Sequence, residues 1–472
     1  MPAALPAVLP APSLLTAHLA ALEQGLLERG TAVRLLLLTA LAGEHTLLIG
    51  PPGTAKSELA RRLHHRFSGA PYFERLLTRF STPEELFGPL SLKALEADRY
   101  ERLVDGWLPT AGIAFIDEVF KANSAILNAL LTLLNEREFD NGNGRLPVPL
   151  ISLVGASNEL PADDALQAFH DRFLVRVPTA PVGDASFESL LRLGAGGADA
   201  PATAPLNAAD VAAVAAARET VDLGADALAG LAALRRRLAE ARLPVSDRRW
   251  RQLVSLMRSA AATEGRDRLD LLDLWLAPYV VAAEPQLQRL LADWLAGDLL
   301  QAVPVEAPGL VHAVQAFEQQ LSIEQRLPAD PAAADDAGKL ALARSLGAQG
   351  DEAGGDGMLR MVSATLEQRL RRRFSTVHVA ARLAQVDEVA AQVRVVHDQA
   401  EAALADLLRR LQGRFWIGPD VSGPWLAAHR QTLAFAADLL GRLAQARAGF
   451  AELPQDDDLP AEAPAPIAVA AD

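Results

Sequence analysis

The chain has 472 residues, no cysteine, 50% hydrophobic residues and a formal net charge of −14. At roughly 100–200 residues per domain, this length accommodates two to four domains. The acidic balance argues against bulk electrostatic binding to nucleic acid or to an anionic membrane, and the lack of cysteine excludes disulfides, thiol catalysis and Cys-ligated zinc and agrees with a reducing compartment. The opening MPAALPAVLPAP carries no basic leader and is interrupted by prolines, which makes it a poor signal peptide. No apolar run approaches the roughly 18 residues of a membrane span. A cytoplasmic protein without a transmembrane segment is expected, rich in helix because alanine and leucine dominate its apolar content.

In chain order, Ser13 to Leu41 carries apolar residues at helical spacing and leads to an apolar strand, TLLIG, beginning at Thr46. The strand runs into Gly50-Pro51-Pro52-Gly53-Thr54-Ala55-Lys56-Ser57 and then a helix, SELARRLHHRF. A glycine loop that opens a helix brings backbone N–H groups and the positive end of the helix dipole onto phosphate oxygens. In this reading Lys56 holds the β- and γ-phosphates and Ser57 a Mg²⁺ ion. Ala55 stands where the generic phosphate-loop pattern has glycine. A plain Pro-Gly turn with a solvated Lys56 is the alternative.

Four further apolar runs follow: FERLLT (Phe73 to Thr78), GIAFID (Gly112 to Asp117), LISLVGAS (Leu150 to Ser157) and FLVRV (Phe173 to Val177). Separated by helical patterns, they predict parallel strands joined by crossovers, with ligands at the carboxyl ends. Asp117 and Glu118 stand just beyond the third run. Asp117 can accept from a Mg²⁺-bound water and Glu118 can polarise an attacking water, although an acidic strand end or a helix cap would use the same residues. Asn158, after the fourth run, could orient that water or be a turn residue. Arg172 precedes the fifth run; in a ring of subunits it could reach a neighbour's γ-phosphate, or it could pair with Asp171. SDRRW (Ser246 to Trp250) reads as a helix cap followed by arginines, of which Arg248 could bind phosphate in cis or lie in solvent.

The order and spacing of these pieces resemble the AAA+ ATPases of the MoxR family, and its RavA branch in particular. GPPGTAKS is similar to the Walker A loop of that group, in which alanine at the position of Ala55 is a familiar substitution. IDEVFKANSAILNALLTLLNEREFDNG resembles its Walker B motif, helix and hairpin, and Thr78 to Leu95 with Arg99 to Pro109 resembles its characteristic insertion. ASNELP resembles sensor 1, DRF the arginine finger and VSDRRW sensor 2. The resemblance implies ATP/ADP and Mg²⁺ as ligands, with Glu118, Asn158, Arg172 and Arg248 as catalytic residues. Nucleotide would contact Gly50, Pro51, Pro52, Gly53, Thr54, Ala55, Lys56 and Ser57; the metal would contact Ser57 and Asp117. It further implies a helix from Leu22 to Leu36 flanking the adenine, with Leu27 as the candidate contact.

The implied fold is an α/β P-loop core, a parallel five-stranded sheet between helices, with an all-α lid and a small C-terminal module that could contain β structure. The expected boundaries are 1–200 for the core, 209–326 for the lid, 327–357 for a linker rich in Ala, Asp and Gly, 358–398 for the accessory module, 399–452 for helices returning to the lid, and 453–472 for a disordered acidic tail. In the module, Val377, Val379, Val389, Val393 and Val395 recur at even separations that suit strands, while the surrounding sequence also fits helices.

The resemblance implies ATP hydrolysis in a ring, hexameric by analogy, that remodels or matures protein clients with a partner bearing a von Willebrand factor A domain. Respiratory or stress-related enzyme complexes are the clients tied to that branch. A nucleotide-gated assembly scaffold is the alternative, and a DNA-acting AAA+ motor a further one that the acidic charge disfavours.

Overall fold

The computed structural model describes residues 9–142, 144–161, 164–193, 203–302, 304–327 and 372–467. The chain divides into two compact units: Met1–Ala302 with Arg409–Trp425, and Val303–Leu408 with Leu426–Asp472.

The first unit is built on five parallel strands: β1 (Thr46–Ile49), β2 (Tyr72–Leu76), β3 (Ile113–Asp117), β6 (Ser152–Ser157) and β7 (Val175–Pro178). Their order across the sheet is β2-β3-β6-β1-β7. Every residue of β1 and β6 is buried. Strands covered on both faces by crossover helices need apolar residues throughout, which is why TLLI and SLVGAS do not alternate. The predicted strands thus form, in the predicted sheet. A short antiparallel hairpin, β4 (Glu138–Asp140) with β5 (Arg145–Pro147), follows helix Ser124–Glu136.

Register decides what meets at the carboxyl edge. Ile49 lies beside Ser157, and Ile116 beside Gly155. Gly50, Glu118 and Asn158, the residues just past β1, β3 and β6, therefore leave the sheet on one edge. At the opposite edge Thr46 pairs with Val175, and Leu174 N–H donates to His45 O at 3.0 Å, which puts the Asp171-Arg172-Phe173 turn beside the start of β1.

Beyond residue 203 this unit continues in the helices Ala208–Arg218, Ala225–Glu240, Asp247–Thr263, Ala277–Val281 and Pro285–Trp294. Arg409–Trp425 is tied to them by Trp416, which is fully buried and donates Nε1–H to Thr263 Oγ1 at 2.8 Å. Arg414 bridges Asp270 and Asp273 from the same segment.

Three expectations change. The lid was expected to extend to 326, but helix Pro308–Arg326 belongs to the second unit. There Ala313, Val314 and Phe317 share a core with Val379, Val386, Val389 and Val393. The boundary between accessory module and return helices, expected at 398/399, falls inside one 36-residue helix, Thr376–Leu411. Val379, Val386, Val389 with Ala390, and Val393 recur every three, four or seven residues on its buried face, whereas Val377 and Val395 are exposed. Even separations such as 379 to 393 suit either period, and packing selects the helix. Finally, 453–467 is not a disordered tail. Leu453 is buried, Phe374 N–H donates to Pro454 O at 2.9 Å, Asp456 N–H to Phe374 O at 3.0 Å, and Ile467 packs on the core. The acidic composition hid this anchoring, because backbone pairing and a few apolar residues supply it. Of the expected linker 327–357 all but Leu327, together with residues 358–371 and 468–472, lies outside the described residues.

Candidate functional site

The loop after β1 is held in a shape that only small residues permit. A Cβ on Gly50 would lie 2.0 Å from Thr179 O and 2.6 Å from Thr179 Oγ1. Gly53 has φ +82 with open space around it. Ala55 is left-handed at φ 66, ψ 24. The position where the generic pattern has glycine thus does need a left-handed backbone, and alanine occupies it at a strain of about 1–2 kcal/mol. Helix Lys56–His64 starts at once, and its first-turn N–H groups, which have no carbonyl one turn back, face the loop. Thr54 Oγ1 donates to Pro51 O at 2.9 Å and pairs with Thr179 Oγ1 at 3.2 Å. Pro51 and Pro52 are exposed.

Lys56 is the hub. It is buried, and its Nζ donates to Gly50 O at 2.6 Å, Pro51 O at 2.8 Å and Asn158 Oδ1 at 3.1 Å. Burial lowers its pKa, while Asp117 and Glu118 oppose that shift by favouring the charged form. Asn158 in turn donates Nδ2–H to Glu118 Oε1 at 2.6 Å. Glu118 lies 3.3 Å from Lys121 Nζ and adopts a left-handed backbone at φ 53, ψ 44. Such strain in a non-glycine residue persists where the surroundings over-determine it. Its N–H donates to Asp117 Oδ1 at 3.0 Å, and Leu77 N–H to Asp117 O at 2.9 Å. Lys56, Asp117, Glu118 and Asn158, which the sequence placed in three separate motifs, form one linked cluster; Ser57 is the second residue of the helix that opens on it. The residues fit a nucleotide and a divalent ion: a glycine cradle that a Cβ would close, an ammonium on loop carbonyls with which phosphate oxygens would compete, and, at the end of β3 and at the start of the helix, the oxygen donors of Asp117 and Ser57.

Leu27 is half-buried in a loop, not a helix. The expected helix from Leu22 to Leu36 is broken between Pro12–Glu23 and Gly30–Leu41, where Gly25 and Glu28 have positive φ. Arg29, which the sequence did not mark, ties this loop to the cradle: it is buried and donates Nε–H to Thr54 O at 3.3 Å and an Nη2 hydrogen to Ala180 O at 2.5 Å. Thr179 was likewise missed. Neither belongs to a motif: Arg29 reaches main-chain carbonyls, and Thr179 meets the loop through its own carbonyl and hydroxyl.

Arg172 and Arg248 sit elsewhere. They line a small polar cleft of about 200 Å³ with Gly43, Glu44, Arg137 and Gln252, at the start of β1. From His45 to Gly50 is five residues of extended chain, roughly 16 Å at ~3.3 Å each. A role for Arg248 on the cis phosphates is therefore corrected: the helix that carries it packs at the edge opposite the cradle. Arg172 does not pair with Asp171 either. Asp171 Oδ1 accepts instead from Arg249 Nη2 at 2.7 Å, and the buried Arg172 Nε has no hydrogen-bond partner. Burial lowers the Arg172 pKa and the nearby Arg248 lowers it further. Glu44 shares this cleft; burial raises its pKa, and Gln252, Arg137, Arg218 and Arg248 counteract that. His45 accepts from Leu153 N–H through Nδ1 at 3.0 Å, and burial holds it neutral.

A five-stranded parallel sheet with a glycine cradle after β1, carboxylates after β3 and an amide after β6 defines a P-loop nucleotide-binding protein of AAA+ type. Residues 13–216 match the family described as the MoxR domain in the MoxR-vWA-beta-propeller ternary systems, and residues 226–295 match the AAA lid domain. Two uncharacterised proteins of Methanocaldococcus jannaschii, MJ0079 and MJ0812, are 41% identical over 255 residues and 42% over 260. Those alignments cover 54% and 55% of this chain, and 66% and 69% of the relatives. Protein MoxR of Paracoccus denitrificans is 28% identical over 173 residues, 34% of this chain and 50% of that protein. Residues 13–216 thus carry a MoxR-type AAA+ domain, followed by an AAA lid over 226–295. No helix among the described residues is long and apolar enough to cross a membrane.

Proposed function

We propose that this chain hydrolyses ATP at sites shared between neighbouring subunits of a ring. Gly50 to Ser57 bind the phosphates, and Lys56 gives up its loop carbonyls for the β- and γ-oxygens. Ser57 and Asp117 would hold Mg²⁺, which when bound supplies Lewis-acid stabilisation of the phosphate charge. Glu118 polarises the attacking water, and Asn158, bonded to both Lys56 and Glu118, keeps base and ammonium in register. Leu27 borders the base. Arg172 and Arg248 of a neighbouring subunit neutralise charge developing on the γ-phosphate.

The observation that carries this reading is the separation of the two halves. Cradle and carboxylates occupy one edge of the sheet, while both arginines occupy the other, so a single subunit cannot bring them to one phosphate. A closed ring, hexameric by family analogy, joins them. The motif resemblance to the RavA branch and the family's ternary-system description favour a partner with a von Willebrand factor A domain. Protein clients would be remodelled or matured through the region after residue 330, which carries none of the assigned phosphate, metal or water ligands.

Two measurements test the chemistry. Lys56→Ala should lose nucleotide binding, whereas Glu118→Gln should bind ATP and turn it over at least about 10²-fold more slowly. Equal turnover by Glu118→Gln and parent removes Glu118 from the mechanism. Mixing Arg172→Ala with Glu118→Gln under subunit exchange should restore hydrolysis at junctions that combine an intact glutamate with an intact arginine. No recovery refutes the shared site.

A further inference from the structure

We propose that Arg249 is the positioning residue for the two arginines of this site: one buried guanidinium fixes the turn that carries Arg172 to the helix that carries Arg248. The inference rests on the shared-site reading above.

Arg249 is 4% exposed. Its Nε–H and an Nη2 hydrogen reach Asp171 Oδ1 at 3.1 and 2.7 Å, and Nη2 also donates to Asp171 O at 2.9 Å and Phe173 O at 3.4 Å. Nη1 donates to Leu174 O at 3.3 Å and to Val280 O at 2.6 Å. The carbonyls on both sides of Arg172 are thereby held by one side chain. The buried Arg172 Nε has no hydrogen-bond partner, so the aim of this side chain follows chiefly from the backbone of the turn. Arg248 is the preceding residue in the first turn of helix Asp247–Thr263, whose N-cap Ser246 accepts from Arg249 N–H at 3.3 Å. Moving Arg249 moves both arginines.

A guanidinium is required because its donors diverge in a plane. The Asp171 carboxylate and four carbonyls surround it, and an ammonium at one point cannot serve that spread. The charge is tolerated because Asp171 offsets the burial. The resemblance of VSDRRW to sensor 2 points to Arg248, which the structure leaves exposed while it buries Arg249. The buried neighbour does different work.

A purely structural clamp and a positioning clamp predict different outcomes. In homogeneous rings, Arg249→Met should lower kcat for ATP by about 10²-fold, the loss expected when reacting groups shift by an ångström. The dissociation constant for ATP should stay within about threefold, because the cradle lies at the other edge of the sheet. Mixed with Glu118→Gln, Arg249→Met should recover turnover as Arg172→Ala does: it contributes intact cradles, and Glu118→Gln contributes intact arginine turns. Should Arg249→Met fail to accumulate as folded protein, Arg249→Lys and Asp171→Asn serve in its place, with about tenfold losses of kcat and the same complementation. Recovery with Arg172→Ala but none with any Arg249 or Asp171 variant overturns the positioning role. So does a fall in ATP affinity parallel to the fall in kcat. Failure of the Arg172→Ala mixture as well overturns the shared site itself, and this inference with it.

Discussion

Gly50→Ala is the sharpest test of the cradle. The added Cβ would stand 2.0 Å from the carbonyl oxygen of Thr179 and 2.9 Å from its carbonyl carbon. These are backbone atoms, so no rotamer change relieves the contact. Real Cβ contacts essentially never fall below 3.0 Å, so loop and strand end must part by at least about 1 Å. Thr179 is tied by its N–H to Ile49 O at 2.7 Å, and Gly50 O receives the Lys56 ammonium at 2.6 Å. The displacement therefore falls on the Lys56 loop. A 1 Å misplacement of a positioning group costs about 10²-fold in rate, and overpacking of this kind costs about 1–3 kcal/mol in stability. ATP turnover, ATP affinity and the thermal midpoint would be measured together, with Gly53→Ala as comparison. There the space is open and the penalty is backbone strain alone, about 1–2 kcal/mol. If Gly50→Ala keeps kcat/KM for ATP within threefold of the parent, the close approach of Gly50 to Thr179 does not shape the site.

Trp416→Ala should destabilise the first unit by about 3–5 kcal/mol, as deletion of a fully buried aromatic does; denaturant unfolding within 1 kcal/mol of the parent would show that 409–425 is dispensable there. Burial pushes the Glu264 carboxyl up to about 7 despite Arg266 at 3.0 Å. The folded protein therefore holds a proton that the unfolded chain releases near 4.5, and stability from this group, full below that pH, is lost as pH rises through 7. Glu264→Gln, neutral throughout, should gain on the order of 3 kcal/mol relative to the parent between pH 5 and 8. Identical pH slopes would mean that Arg266 keeps Glu264 ionised. Asp420 Oδ2 accepts from Thr31 N–H at 2.9 Å and from its hydroxyl, capping helix Gly30–Leu41 from 389 residues away. Asp420→Ala should cost about 1 kcal/mol and speed amide exchange in the first turns of that helix, and unchanged protection there would refute the cap.

The five strands, the cradle and its partner residues were legible in the sequence because each is a local signal. An apolar run marks a strand buried on both faces, and Gly50 to Ser57 mark a turn whose backbone needs small residues. That Glu118 and Asn158 follow apolar runs was also readable, but their hydrogen bond depends on the register of β3 against β6, which no local pattern encodes. Tertiary structure alone decided the position of Arg248, because an arginine in a helix cap reads the same whichever edge of the sheet the helix packs on. It decided the roles of Arg29, Arg249 and Asp420 too, since their partners are carbonyls, a carboxylate and an amide brought together across the chain. The even spacing of Val379, Val389 and Val393 was compatible with two periods, and only burial against helix Pro308–Arg326 and the chain near Phe450 selects the helix. Sequence specifies chemistry wherever neighbours in the chain supply it; where distant backbone groups supply it, the partner is invisible until the chain has folded.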